Sequence, residues 1–71
     1  MSNINSQLNK IGNNIKRIRE AKNIKQEFLA TRTGICKSYL SRIENGNRDL
    51  SVSKLIKIAE TLEVPISSLF E

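Results

Sequence analysis

At 71 residues with a formal net charge of +5, the chain is long enough for one small domain and too short for two. Its single cysteine and its lack of histidine exclude an internal disulfide and an ordinary zinc site, and no apolar run approaches the ~20 residues of a membrane-spanning helix. Residues 1–48 hold ten Lys and Arg against three Glu (+7) and residues 49–71 two Lys against four acidic residues (−2), so we expect a single cytoplasmic domain, 1–71, with one basic side suited to phosphates.

The N-terminal third contains one amphipathic segment. Its apolar residues, spaced 3, 4 and 3 positions apart, are Leu8, Ile11, Ile15 and Ile18. This spacing predicts a helix from about residue 9 to residue 22. Asn23 is a suitable end for it, because asparagine tolerates the left-handed backbone conformation. Residues 1–7 are polar, and we expect them to form a disordered arm.

The next segment, residues 26–46, has the sequence QEFLATRTGICKSYLSRIENG. We predict two short helices, 26–33 and 37–45, joined by a turn in which Gly34 takes a positive φ. The small Ala30 allows two helix backbones to cross closely. The apolar stripe assigned to the second helix consists of Ile35, Leu40 and Ile43. This pattern predicts a helix-turn-helix, whose second helix lies in the major groove of DNA.

The C-terminal third predicts a fourth helix and a short final turn. Asn45 and Gly46 end the third helix and begin a loop, and Ser51 is a good N-cap for the fourth helix. The broad apolar face predicted for the fourth helix comprises Val52, Leu55, Ile56, Ile58, Ala59 and Leu62. Pro65 separates this helix from the turn at Ile66–Phe70, in which we expect Leu69 to close the core.

These elements, in this order, resemble the Cro/lambda-repressor-like (XRE) family over about residues 9–70. The residues that carry the resemblance are Ile18-Arg19, Gln26-Glu27, Leu29-Ala30, Gly34-Ile35, Tyr39-Leu40-Ser41, Ile43-Glu44-Asn45-Gly46, Leu55, Ile58-Ala59, Leu62, Val64-Pro65 and Leu69-Phe70. The resemblance implies an all-α, five-helix DNA-binding domain with the helix-turn-helix at helices two and three. The loop at 47–51, which has no proline before Ser51, is similar to that of restriction-modification controller proteins.

The resemblance also implies which side chains meet DNA. The full predicted set is Gln26, Cys36, Lys37, Ser38, Tyr39, Ser41, Arg42, Asn47 and Arg48. Gln26 would bond a phosphate and brace a base-reading side chain. Lys37, Ser38 and Arg42 would reach into the groove, where Lys and Arg can donate to guanine O6 and N7. The clamps on backbone phosphates would be Tyr39, Asn47 and Arg48.

Cys36 and two further groups of residues receive other roles. Cys36 occupies the position of the usual Ser/Thr cap, and a capping role is favoured over a redox switch because no resolving cysteine exists. Arg19 and Glu44 are predicted to form a partly buried structural ion pair between helices one and three. The apolar residues assigned either to a dimer interface or to core closure are Val64, Ile66 and Phe70.

The implied function is a sequence-specific, double-stranded-DNA-binding transcriptional regulator that acts as a homodimer on an inverted-repeat operator, with restriction-modification genes as one target. The alternative is an antitoxin or phage-type repressor that binds a partner protein as well as DNA. An enzyme is not expected, because the chain lacks histidine, paired carboxylates in an apolar setting and a Gly-rich phosphate loop. No cofactor, metal, membrane or small-molecule ligand is expected.

Overall fold

The computed structural model describes residues 4–71 and is all-α over that range. The helices are α1 (Ile4–Ala21), α2 (Gln26–Thr33), α3 (Lys37–Glu44), α4 (Val52–Leu62) and a 3₁₀ helix (Ile66–Phe70). The prediction of five α-helices is therefore wrong, because the described chain has four. The fifth segment is only five residues long, and within it Ser68 N–H donates to the Pro65 carbonyl at 2.9 Å, the i to i+3 bond of a 3₁₀ turn.

Helix α1 is longer than its apolar stripe predicted. It begins at Ile4, so residues 4–7, which we expected in a disordered arm, are helical. Residues 1–3 of that predicted arm lie outside the described part of the chain. The stripe marks only the turns that face the core, and a helix can continue beyond them. At the other end, the prediction for Asn23 is confirmed by its left-handed φ of 59°.

The boundaries of the later helices follow local signals in the sequence. Helix α2 has its predicted bounds, and α3 ends one residue earlier than predicted. The Ser51 hydroxyl accepts a hydrogen bond from Lys54 N–H at 3.3 Å, so the predicted N-cap of α4 is confirmed. Among residues 4–71, no helix combines the length and the apolar character needed to cross a membrane.

The core lies where α1 packs against α3 and the 3₁₀ helix, and where α2 packs against α3 and α4. Its buried apolar residues are Ile15, Leu29, Ala30, Ile35, Leu40, Ile43, Leu55, Ile58, Ala59, Leu62 and Leu69. The predicted apolar face of α4 is too broad, because Val52 and Ile56 are exposed. Ile56 lies about 100° around the helix from the buried Leu55, beyond the edge of the packed face.

Gly12 allows α1 to approach the end of α3 closely, a contact that no sequence pattern signalled. A Cβ atom at this position would overlap the carbonyl oxygen of Ile43 and would lie 3.0 Å from the carbonyl oxygen of Glu44. Both obstacles are backbone atoms, which cannot rotate away as a flexible side chain can. The crossing of α1 and α3 therefore depends on a residue without a side chain.

Replacing Gly12 with alanine is expected to destabilise the fold by about 1–3 kcal/mol, the usual cost of forcing extra atoms into a packed interior. Inside an unobstructed helix the same change stabilises by about 0.5–1 kcal/mol, so the sign of the effect tests the close approach. Urea denaturation followed by circular dichroism measures it. Asn13→Ala, at the neighbouring exposed position of α1, is the control and should be nearly neutral.

Candidate nucleic-acid interface

The turn between α2 and α3 is fixed by hydrogen bonds around Gly34. This residue has the predicted left-handed conformation, with a φ of 73°, and its N–H donates to the Ala30 carbonyl. Ile35 N–H donates to the same oxygen at 3.1 Å. The buried Thr33 hydroxyl donates to the Leu29 carbonyl at 2.7 Å, which satisfies its polar group inside the core. The orientation of α3 relative to α2 is thereby set.

Helix α3 presents one polar side to solvent. Leu40 and Ile43 are buried on its inner side, as predicted, and they fix the rotation of the helix about its axis. The polar side chains on the other faces, exposed or half-buried, are Lys37, Ser38, Ser41 and Arg42. Hydroxyl, ammonium and guanidinium groups are those that hydrogen-bond to base edges and to phosphates. This surface can therefore enter a DNA groove without unfolding any part of the core.

A small depression lies between the outer side of α3 and the loop that follows it. It has a volume of about 240 Å³, and its lining residues are Ser38, Tyr39, Arg42 and Arg48. Two guanidinium groups and a hydroxyl at one concave site suit an anion, because arginine donates charge-assisted hydrogen bonds to phosphate. The structure thus brings together four of the nine side chains predicted to contact DNA.

Tyr39 has a hydrogen-bond partner within the chain. Its hydroxyl donates to the carbonyl of Asp49 at 2.9 Å, and its contact with a phosphate stays a prediction. The guanidinium of Arg48 lies 6.0 Å from the centre of the Tyr39 ring, at the outer limit of a cation–π contact. In this conformation Tyr39 holds the loop that carries Arg48, and Arg48 is the side chain that offers donors.

Gln26 belongs to a buried network beneath the N-terminus of α2. Glu44 is buried, and its carboxylate accepts from Arg19 Nε at 2.7 Å and from Arg19 Nη2 at 3.0 Å. Arg19 Nη1 also donates to the Ile24 carbonyl at 2.9 Å. Gln26 Nε2 donates to Glu44 Oε1 at 3.0 Å. The ion pair therefore ties α1 to the end of α3 and also orients the side chain expected to bond a phosphate.

Cys36 precedes α3 at the N-cap position, yet its thiol makes no capping hydrogen bond within the described chain. Cys36 therefore stands at the expected N-cap position, but the capping role expected of its thiol is wrong, since sulfur is a weak acceptor. Its Sγ lies 3.5 Å from the Ser38 hydroxyl, and this contact lowers the pKa of the thiol. Lys25, the N-cap of α2, makes no side-chain cap either. The first N–H groups of both helices are thus free of side-chain caps, as at helix termini that bind phosphate.

The loop after α3 packs against the N-terminal half of α1. Gly46 has a φ of 79°, and a Cβ atom there would overlap the side chain of Asn9. Asn47 is exposed, and its N–H donates to the Arg42 carbonyl at 2.8 Å. The residues that line a depression of about 500 Å³ at this junction are Leu8, Asn9, Gly46, Asn47, Arg48 and Asp49. The sequence analysis missed Asn9 here, because its placement depends on how α1 crosses the loop.

Lys37 takes part in an ion pair that the sequence analysis also missed. Its Nζ lies 3.7 Å from Glu27 Oε2, across the turn between α3 and α2. The two residues are on different helices, so no helical periodicity relates them. The pair places a carboxylate at the edge of the surface that α3 presents.

The residues assigned to a dimer interface differ in exposure. Val64 and Ile66 are half-buried and pack against the core, and Leu69 is fully buried, as predicted. Phe70 is 47% exposed. The residues lining the depression of about 260 Å³ beside it are Gln7, Lys10, Ile11 and Phe70. Phe70 is therefore the member of this set that leaves most apolar surface uncovered.

Known proteins resemble this chain in sequence and in structure. A family model described as helix-turn-helix matches residues 15–69. The control protein C.MunI from Mycoplasma sp is 37% identical over 62 residues, which cover 86% of this chain and 84% of that protein. The restriction-modification controller protein C.AhdI from Aeromonas hydrophila has a TM-score of 0.87 and 34% identity, covering 92% of this chain and 98% of its own. The master regulator for biofilm formation SinR, in complex with DNA, has a TM-score of 0.79 and 35% identity. The match covers 86% of this chain and 98% of the SinR chain.

Proposed function

The chain belongs to the helix-turn-helix family of DNA-binding transcriptional regulators, and we propose that it acts as a homodimer on an inverted-repeat operator. A helix of eight residues exposes few side chains, so one subunit can distinguish few base pairs. A two-fold dimer places two such helices about 34 Å apart, one turn of DNA, and doubles the number of contacts. A self-complementary contact between subunits suits a palindromic site.

The observation that most supports the proposed interface is the depression of about 240 Å³ beside α3, which two arginines border. Arg48 reaches it from the loop, so a phosphate bound by Arg48 there would fix the position of α3 along the groove. Arg42 borders the same depression from α3 and remains assigned to base reading. We assign base reading to the exposed side of α3 and backbone binding to Gln26, Asn47 and Arg48. SinR, a relative with 35% identity, is known in a complex with DNA, which supports DNA binding by this chain.

We further propose that the regulated genes belong to a restriction-modification system. C.AhdI is a restriction-modification controller protein, and this chain matches 98% of its length at 34% identity. The proposal predicts that the operator lies upstream of a methyltransferase or endonuclease gene in the source genome. Selecting the operator from a random duplex pool and locating it in that genome tests the prediction, and an operator next to unrelated genes would count against it.

Base-reading and phosphate-binding side chains should respond differently to alanine substitution. We define the selected duplex as the one enriched by the wild-type protein from a random pool, and the shuffled duplex as its scrambled counterpart. Lys37→Ala and Arg42→Ala should each weaken binding to the selected duplex by about 1–3 kcal/mol and change binding to the shuffled duplex less. Arg48→Ala should weaken both, and the slope of log K against log salt should shrink by about one.

Gel-shift titrations over a range of salt concentrations measure these effects. Arg32→Ala is the matched control, because this exposed arginine of α2 stacks on Phe28, with its guanidinium 4.8 Å from the ring centre, and lies outside the proposed interface. Equal losses on both duplexes for Lys37→Ala and Arg42→Ala would reassign them to the phosphate backbone. A wild-type protein that enriches no sequence from the pool would overturn sequence-specific binding itself.

A further inference from the structure

We infer that Glu27 is a positioning residue that raises sequence specificity by holding the Lys37 ammonium away from backbone phosphates. The inference rests on the proposed function, since it assigns Lys37 to base reading. Its geometric basis is the ion pair between Glu27 Oε2 and Lys37 Nζ at 3.7 Å. The pair joins the first turn of α2 to the first residue of α3. Both residues lie on the side of the molecule that would face DNA under the proposed function.

Glu27 is unusual in its surroundings. Between residues 22 and 48 the sequence holds two acidic residues, Glu27 and Glu44, among six Lys and Arg. Glu44 is buried and bonded to Arg19 and Gln26. Glu27 is therefore the one exposed carboxylate of this basic segment. A negative charge at this place opposes the binding of phosphates. We therefore look for a contribution of Glu27 to binding that offsets this loss of affinity.

Stability of the fold is a weak explanation for the pair. The side chains of Glu27 and Lys37 are 71% and 58% exposed, respectively. Ion pairs with this exposure contribute little to stability, because water screens the attraction and two long side chains must be ordered. An acidic residue in the first turn also complements the helix dipole of α2, a small effect that any carboxylate there would supply.

The pair would raise specificity by favouring one of two acceptors for the Lys37 ammonium, a base edge over a backbone phosphate. An ammonium has three N–H donors, so it can keep its contact with Glu27 and still donate to guanine O6 or N7. A phosphate that shares the same ammonium also meets the negative charge of Glu27, which repels it, whereas the guanine acceptors are neutral. On a non-cognate sequence Lys37 then adds little to the backbone attraction, and the Glu27 charge repels the phosphates. Sequence specificity increases because the complex with a non-cognate duplex is weakened more than the complex with the cognate duplex.

Glu27→Gln removes the charge and keeps the size of the side chain. We expect affinity for the shuffled duplex to rise about two- to fivefold, the range that an exposed ion pair allows. Affinity for the selected duplex should change less, so the specificity ratio should fall. The salt slope on the shuffled duplex should grow by about one, because Lys37 becomes a phosphate contact. In a Lys37→Ala background the change in slope should disappear.

Glu60→Gln is the matched control, since it removes the same charge from an exposed position of α4. Equal gains on both duplexes, matched by Glu60→Gln, would reduce the effect to net charge and overturn the inference. So would a change in slope that persists without Lys37. If Lys37→Ala lowers specificity while Glu27→Gln changes nothing, the inference fails and the proposed function stands. If wild-type protein does not distinguish the duplexes, the proposed function fails first.

Discussion

Arg19→Ala is expected to lower the free energy of unfolding by about 3–5 kcal/mol, the cost of leaving one partner of a buried ion pair uncompensated. Glu44 is 3% exposed, and two of its hydrogen bonds come from Arg19. The substitution also removes the donor to the Ile24 carbonyl. Because a core of this size supplies no more than about 3–5 kcal/mol, the variant should be largely unfolded at room temperature.

Thermal and urea denaturation, followed by circular dichroism, measure the loss. Arg17→Ala is the matched control on the same helix, because Arg17 is exposed and, among the residues that the structure describes, its side chain makes one hydrogen bond, to Asn14 Oδ1 at 3.1 Å. It should cost about 1 kcal/mol or less. A wild-type melting temperature for Arg19→Ala would show that the pair does not stabilise the fold. Retained stability with weakened DNA binding would instead limit the pair to orienting Gln26.

The sequence alone was sufficient for the parts of the fold that local chemistry determines. Three of these parts each depend on the backbone or hydroxyl of one residue. They are the turn at Gly34, the left-handed backbone conformation of Asn23 after α1, and the N-cap of α4 at Ser51. The assignment of α2 and α3 as a helix-turn-helix rests on such signals together with the spacing of a few apolar residues. These features are visible in a linear chain because their partners are at most a few positions away.

Contacts between elements were harder to predict. The close approach at Gly12, the bond from Tyr39 to Asp49 and the ion pair between Glu27 and Lys37 all depend on how helices and loops cross in space. Val52 was predicted to be buried for a related reason. Apolar residues at helical spacing define a face, but only the packed neighbours determine how wide that face is.

The candidate site shows the same division. The polar side of α3 and the resemblance to a family predicted which residue types would meet DNA. How they are oriented was not, because Gln26 is held by Glu44 and Arg48 is held near Tyr39 through contacts that join separate elements. Those contacts fix the positions of the polar side chains relative to one another. They also identify positions, Glu27 among them, whose effect on binding would be indirect.

Phe70→Asp is expected to give a folded monomer with about 100-fold weaker binding to the selected duplex at low protein concentration, because joining two binding modules can raise affinity by a factor on the order of 10²–10⁴. Phe70 lies in the less basic C-terminal third and is 47% exposed, so DNA has little attraction for it, and we place the contact of the proposed dimer there. A charge at the centre of an isologous contact acts twice, once from each subunit.

Phe28→Asp is the matched control, because the two phenylalanines have almost the same exposure, 46% and 47%. Analytical ultracentrifugation reports the oligomeric state, and circular dichroism reports folding. Ile56→Asp extends the test to one of the two exposed apolar residues of α4. A dimer that survives Phe70→Asp but is lost in Ile56→Asp or Phe28→Asp would move the interface to α4 or α2. If Phe70→Asp unfolds the chain, Phe70 belongs to the core with Leu69, and the dimer contact has to be sought elsewhere.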